Sequence, residues 1–185
     1  MTKKNKSGIE YLEQNRINWF PGHMKKAIEK IQESIRLVNI IIEVRDARAP
    51  MASGNKGTYQ SRGQIPYLIV LNKANLADPE SVKSWTNWFT KQNEPFVFIN
   101  ALDKKSIKTI IKRAKEVLHA HRLKWNSKAN QKDKMKMMIL GLPNTGKSTI
   151  INKLANRNAS KAAQKPGQTT SILWVNVDKN LDILD

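Results

Sequence analysis

Cysteine is missing altogether from this chain of 185 residues, which removes disulfides, thiolate metal sites and cysteine nucleophiles together. No apolar run approaches the roughly 18 residues that span a bilayer. The basic, polar start from Met1 to Ser7 leads into no apolar segment of the kind a secretory signal needs. Internal repeats and low-complexity tracts are lacking as well. Acidic residues are scarce: 15 Asp and Glu stand against 33 Lys and Arg, for a net charge of +18. A field of that sign draws a chain toward polyanions through counterion release. A well-solvated lysine-rich surface would carry the same charge without a partner, and a membrane surface would attract it too, but no strongly apolar helix face accompanies the charge. The expectations are an RNA-rich partner, a cytoplasmic location and a monomer without a membrane span.

What is present is an alternation of strand and helix signals. Residues 1–16 read as a basic N-terminal arm and 17–185 as one domain. After Pro21-Gly22, Met24, Ile28, Ile31, Ile35 and Val38 fall at helical spacing. Apolar runs at Asn39 to Val44, Tyr67 to Leu71, Phe96 to Ile99 and Met135 to Leu140 read as buried strands. Ile172 to Val177 and Leu181 to Leu184 read as two more. Met51 to Gln64 is a polar loop. A helix starts at Pro79 and carries Val82, Trp85, Trp88 and Phe89 as core candidates. The next has an apolar stripe of Ile107, Ile110, Ile111, Ala114 and Leu118, with Lys105, Lys108, Lys112 and Lys115 on its outer face. Lys124 to Lys134 is the best linker candidate, and Trp125 is placed to stack on RNA bases. His119 and His121, two apart, do not share a helix face and read as surface histidines rather than metal ligands. The pattern predicts an α/β fold with a mostly parallel sheet.

The strongest motif is Gly141-Leu142-Pro143-Asn144-Thr145-Gly146-Lys147-Ser148, which fits the G-x-x-x-x-G-K-[ST] phosphate loop. Its glycines let the backbone turn around a β-phosphate, Lys147 supplies a charge to the β- and γ-phosphates, and Ser148 offers a hydroxyl to Mg²⁺. A helix beginning near Lys147 adds its positive end. Pro143, Asn144, Thr145, Gly146, Lys147, Ser148 and Thr149 are the candidate nucleotide contacts. The strand before the loop and the amphipathic helix after it are the context that separates such a loop from a chance match.

Asn72-Lys73-Ala74-Asn75, at the end of a predicted strand, resembles the guanine-reading NKxD motif, with Asn75 where the Asp belongs. A carboxylate there accepts hydrogen bonds from guanine N1–H and the 2-amino group. An amide has one acceptor oxygen and a donating NH₂, so one of those bonds becomes a donor–donor clash. Either guanine selectivity weakens or a rearranged loop restores it; Asp78 is close but three residues out of register. Asn100-Ala101, after the next strand, resembles the SA motif whose backbone meets guanine O6. The base reader therefore precedes the phosphate loop, the reverse of a conventional GTPase, and points to circular permutation.

Asn18-Trp19-Phe20-Pro21-Gly22-His23-Met24, Asp46-Ala47-Arg48-Ala49-Pro50, the NKAN residues, the phosphate loop and Lys165-Pro166-Gly167-Gln168-Thr169-Thr170-Ser171 occur in that order. Together they resemble the YlqF/RbgA family of circularly permuted GTPases, which act in large ribosomal subunit assembly. The resemblance covers about Ile17 to Asp185. It implies a P-loop NTPase three-layer sandwich, GTP with Mg²⁺ and K⁺ as cofactors, and precursor large subunits and their rRNA as partners. By the same resemblance Thr169 or Thr170 is the switch threonine at Mg²⁺, Gly167 lies at the nucleotide, and Asn144 helps hold the potassium ion. His23 corresponds to the proposed catalytic histidine that orients or activates water, although a lone histidine at a helix start is more often a packing or capping residue. Asp185 would be the Mg²⁺-associated Asp of a DxPG switch II. The family continues beyond that point with a mainly helical domain, so the chain is expected to be a truncated form or a piece of a longer protein. Two rivals are a degraded GTPase acting as a basic RNA-binding module, motivated by Asn75, and an ATP-using P-loop enzyme, which leaves Asn72-Lys73 unexplained.

Overall fold

The computed structural model describes residues 33–55, 63–125, 134–155 and 174–184. The expected N-terminal arm and the first predicted helix up to Ile31 lie outside them, as does most of the predicted linker. Ser34 to Asp185 forms a compact unit built on a six-stranded sheet in the order β3-β2-β1-β4-β6-β5. The strands are β1 (Ile40–Asp46), β2 (Tyr67–Asn72), β3 (Phe96–Phe98), β4 (Met135–Leu140), β5 (Trp174–Asp178) and β6 (Leu181–Leu184). All pairings are parallel except β5 on β6, which is antiparallel.

The centre of the sheet falls where the sequence is most continuously apolar. β1 reads Ile-Ile-Ile-Glu-Val-Arg-Asp and is flanked by β2 and β4, so both its edges are hydrogen-bonded and both its faces are covered. Ile40, Ile41, Ile42 and Val44 are completely buried, each contributing about 1.5–3 kcal/mol of transfer free energy. β1 runs two residues further than the apolar run suggested, because Arg45 and Asp46 pair in register with Leu71 and Asn72.

Helices cover both faces. On one lie α2 (Lys104–Trp125) and α3 (Lys147–Leu154), whose Ile107, Ile110, Ala114, Leu118, Ile150, Ile151 and Leu154 join Ile40, Ile42, Val44, Leu68, Val70, Met137 and Ile139 in one core. On the other lies α1 (Pro79–Lys91), where Phe89 stacks on Phe96 with ring centroids 5.3 Å apart. This is the expected three-layer α/β arrangement. Of the three aromatic core candidates on α1 only Phe89 is fully buried; Trp88 keeps 38% of its surface exposed and meets Phe89 edge-on. Trp85 lies between the two in exposure.

Local signals fix the helix starts. Asp78 accepts from Ser81 N–H at 2.8 Å and Pro79 occupies the first turn of α1. Asp103 accepts from the backbone of Lys105 and Ser106 ahead of α2. α2 continues through Lys124, so the predicted linker begins later than expected. Among the described residues, no helix is long and apolar enough to cross a membrane.

Candidate nucleotide site

The loops that follow β1, β2, β3 and β4 leave the same end of the sheet, the carboxyl ends of parallel strands, where open α/β sheets place their ligands. The β4–α3 loop, Gly141 to Gly146, is the phosphate-loop sequence. Two of its positions admit only glycine. A Cβ at Gly141 would run into the Val44 carbonyl oxygen, and one at Gly146, whose φ is +99°, would run into Asn72 Nδ2. Asn144 adopts a left-handed φ of +63°, a conformation Asn tolerates better than most residues. Thr145, buried to 3%, donates its hydroxyl to Leu142 O at 2.9 Å. Lys147 Nζ lies against Leu142 O at 2.9 Å, across the loop. Ser148 is exposed in the first turn of α3.

Residues more than seventy positions away complete this loop. Asn72, 3% exposed at the end of β2, donates from Nδ2 to Thr145 O at 2.8 Å and accepts at Oδ1 from Ala101 N–H at 3.0 Å. One buried amide thus ties the phosphate loop to the loop after β3, where Asn100 Oδ1 accepts from Leu102 N–H. Lys73 Nζ donates to Asn144 O at 2.7 Å and to Asp46 Oδ2 at 3.0 Å. Its backbone is left-handed, with φ +63°, at the turn into a short 3₁₀ helix (Ala74–Leu76). The structure therefore brings Asn72 and Lys73 against Asn144, Thr145 and Gly146, and ties Asn72 to Ala101 beside Asn100.

Asn75 sits on that 3₁₀ turn, exposed. Asp78 does not substitute for it, because its carboxylate caps α1. His23, Gly167, Thr169, Thr170 and Asp185 lie outside the described residues, as does the side chain of Trp125. Among the described residues no group of three or more His, Cys, Asp or Glu could hold a metal ion.

Asp46 and Arg48 stand in the Asp46-Ala47-Arg48-Ala49-Pro50 motif, which the sequence alone left without an assigned role. Asp46 ends β1 and binds Arg48 through both carboxylate oxygens as well as Lys73. Arg48 first, and then Lys73, hold its carboxyl well below the usual carboxylate range, against the opposing effect of burial. Arg45 points elsewhere, into a buried cluster with Glu43 and Tyr67. The signal for this division was strand periodicity: Glu43 and Arg45 lie on one face of β1, while Asp46 is at its end.

Comparison with known proteins matches this geometry. A family model described as "50S ribosome-binding GTPase" matches residues 136–185. The chain is 39% identical over 169 residues to ribosome biogenesis GTPase A of Bacillus pumilus, covering 91% of this chain and 60% of that protein. It is 38% identical to the protein of the same name from Thermotoga maritima, over 91% of this chain and 57% of that one. In sequence the chain is similar to the ribosome biogenesis GTPase A proteins along 91% of its own length. A solved structure, GNP-bound YlqF from T. maritima, superposes with a TM-score of 0.60 at 34% identity, covering 86% of this chain and 56% of that one. The chain thus spans about 60% of the length of the curated relatives it matches.

Proposed function

We propose that this chain binds guanine nucleotide with Mg²⁺, hydrolyses GTP, and serves assembly of the large ribosomal subunit on rRNA-rich precursors. The observation that carries the reading is the joining of Asn72 and Lys73 to the phosphate loop at Thr145 O and Asn144 O. A phosphate loop alone would suit many nucleotides; a loop stitched to a strand-end Asn-Lys pair is built to bind phosphates and a base together. The same contacts favour circular permutation, since partners adjacent in the site stand in reversed order along the chain. The domain is taken to occupy 17–185.

The residues fit the groups the family uses. Lys147 can exchange Leu142 O for β- and γ-phosphate oxygens, and the Ser148 hydroxyl stands at the helix start where phosphate-bound magnesium needs a ligand. Magnesium would neutralise charge developing on the phosphates. The Lys73 stem would lie over the base while its ammonium holds the loop. Pro143, Thr149, Gly167, Asn100 and Ala101 would complete the nucleotide contacts; Thr169, Thr170 and Asp185 would serve magnesium, Asn144 a potassium ion, and His23 the attacking water.

A second reading, nucleotide binding by a basic RNA-binding module without turnover, is favoured by one observation: Asn75 presents an amide where guanine needs a carboxylate. Competition of GTP, XTP and ATP against fluorescent GDP tests the base reading. Asn75→Asp should tighten GDP binding by about tenfold or more, from one restored hydrogen bond to a charged group, and leave stability within about 0.5 kcal/mol. Equal competition by ATP, unchanged in Asn75→Asp, would overturn guanine recognition. Absence of GTP hydrolysis with added large-subunit precursors would favour the second reading.

A further inference from the structure

At about 100° per residue, α2 divides into three faces. Ile107, Ile110, Ala114 and Leu118 face the core. Arg113, Glu116, Val117, Ala120 and Lys124 border a groove of about 560 Å³ at the opposite end of the sheet from the nucleotide site. The third face carries Lys105, Lys108, Lys112, Lys115 and His119, all exposed, with Arg122 half-buried at its far end. The spacing of three and four residues places successive lysines about 5–6 Å apart at Cβ. The stripe from residue 105 to 122 runs roughly 25 Å along a rigid helix, at 1.5 Å per residue.

The helix contains eight Lys and Arg and a single acidic residue, Glu116. Glu116 is engaged by Arg113 at 2.8 Å, on the groove side. Glu116 stands four positions from Lys112, at the edge of the stripe, but its ion pair is with Arg113, and among the described residues Lys105, Lys108, Lys112 and Lys115 form no ion pair. Among the described side chains no aromatic interrupts it, and the one large exposed apolar residue of the helix, Leu123, lies near its end. Single strands are gripped by aromatic platforms on which bases stack; membrane surfaces need an apolar face to insert. A straight row of ammonium groups without either suits one surface: regularly spaced phosphates on a helical backbone.

We infer that the Lys105–Lys108–Lys112–Lys115 face of α2 is a docking surface for the phosphate backbone of folded RNA, separate from the nucleotide site. The choice of RNA over other polyanions rests on the ribosome-directed reading above. Contact is sequence-independent and strongly salt-dependent, because each phosphate neutralised releases condensed counterions.

The test titrates a labelled RNA hairpin with the 185-residue chain over a salt series. The parent is compared with the quadruple variant Lys105→Gln, Lys108→Gln, Lys112→Gln, Lys115→Gln. An equally charged control changes Lys83, Lys91, Lys136 and Lys179 to Gln, all of them exposed and outside the stripe. Fluorescent GDP binding, measured on each, reports that the fold and nucleotide site are intact. The stripe variant should lower the slope of log affinity against log salt by about 3, from four lost contacts, with GDP binding unchanged; the control should lower it much less. Equal losses in both variants would mean diffuse charge and overturn the inference, as would no loss in either. Stripe-dependent binding to phosphatidylserine vesicles in preference to RNA would overturn it in favour of a membrane. Loss of GDP binding in the parent, with stripe-dependent RNA binding retained, would remove the nucleotide reading alone; GDP binding without stripe-dependent RNA binding would remove this inference alone.

Discussion

Two acidic side chains stand three residues apart on β1, each bound to an arginine two positions further on, and they do opposite things. Glu43 is sealed from water. It accepts from Arg45 Nε, from the Tyr67 hydroxyl and from Asn55 N–H, while Arg45 also donates to Pro50 O. This cluster folds the loop after β1 back onto its own strand so tightly that a Cβ at Gly54 would come within 2.7 Å of the Arg45 guanidinium carbon. Burial, followed by the Glu43 charge, pushes the Tyr67 phenol far above its usual range. Asp46, at the mouth of the site, keeps 14% of its side chain exposed, and its partners Arg48 and Lys73 keep 51% and 27%. Lys73 reaches past it to the phosphate loop. The same acid–base chemistry is a structural bolt where water is excluded and an adjustable strut where it is not. Depth along one strand decides between them.

The sharpest break in that contrast is Glu43→Ala. Removing one member of a buried pair leaves the other charge without compensation, which costs about 3–5 kcal/mol. Urea denaturation followed by tryptophan fluorescence should show this as a lower midpoint. A loss under about 1 kcal/mol would mean that water reaches Arg45 and that the contrast with Asp46 is false. Next comes Asn72→Ala, which strands two groups at once, the Thr145 carbonyl and the Ala101 N–H. With each buried unsatisfied group costing about 1–3 kcal/mol, stability should fall by an amount comparable to that in Glu43→Ala. GDP affinity, measured by fluorescence titration, should fall as well, because the phosphate loop loses its tie. Glu43→Ala at a temperature where it remains folded should bind GDP nearly normally, since none of its partners touches that loop.

The sheet was legible in the sequence because its strands are short, β-branched and bounded by turn residues, as Ile40–Asp46 and Tyr67–Asn72 show. The meeting of Asn72 with Thr145 was legible only as motif order, since the hydrogen bond spans 73 residues and no local signal encodes it. Trp88 was read as core from its helical spacing, yet α1 packs over the edge strand β3, which covers Phe89 and leaves Trp88 at the margin. Asp46 stood in a quoted motif without a role, because a charged residue ending an apolar run reads as the start of a loop. Its role depends on Lys73, and strand pairing, not sequence proximity, brings the two together. The basic stripe of α2 was visible as charge, but its separation from the groove face required the helix to be placed on the sheet.

The gentlest test is Asp46→Asn, which keeps the shape and removes the charge. At neutral pH the part-exposed pairs it breaks are worth about 1 kcal/mol or less, because solvent screens them. The larger signature lies in acid. A carboxyl held below its ordinary value near 3.9 contributes stability that is fully present above that value and is lost as pH falls through the folded-state value. The parent chain should therefore lose stability as pH falls below about 4. Asp46→Asn should lose less over the same window, because one titrating group is gone. Asp78, Asp103 and Asp182 are also held below the usual range, by a helix-start N–H in the first two and by Lys134 in the third. The readout is thus the difference between the two denaturation curves at each pH, not either curve alone. In the nucleotide assay Lys73 would retain Asn144 O as its remaining anchor, so GDP affinity should fall only a few-fold, about 1 kcal/mol or less. A pH profile identical to the parent's would show that Asp46 is already neutralised by water and salt, and that the strut carries no load of its own.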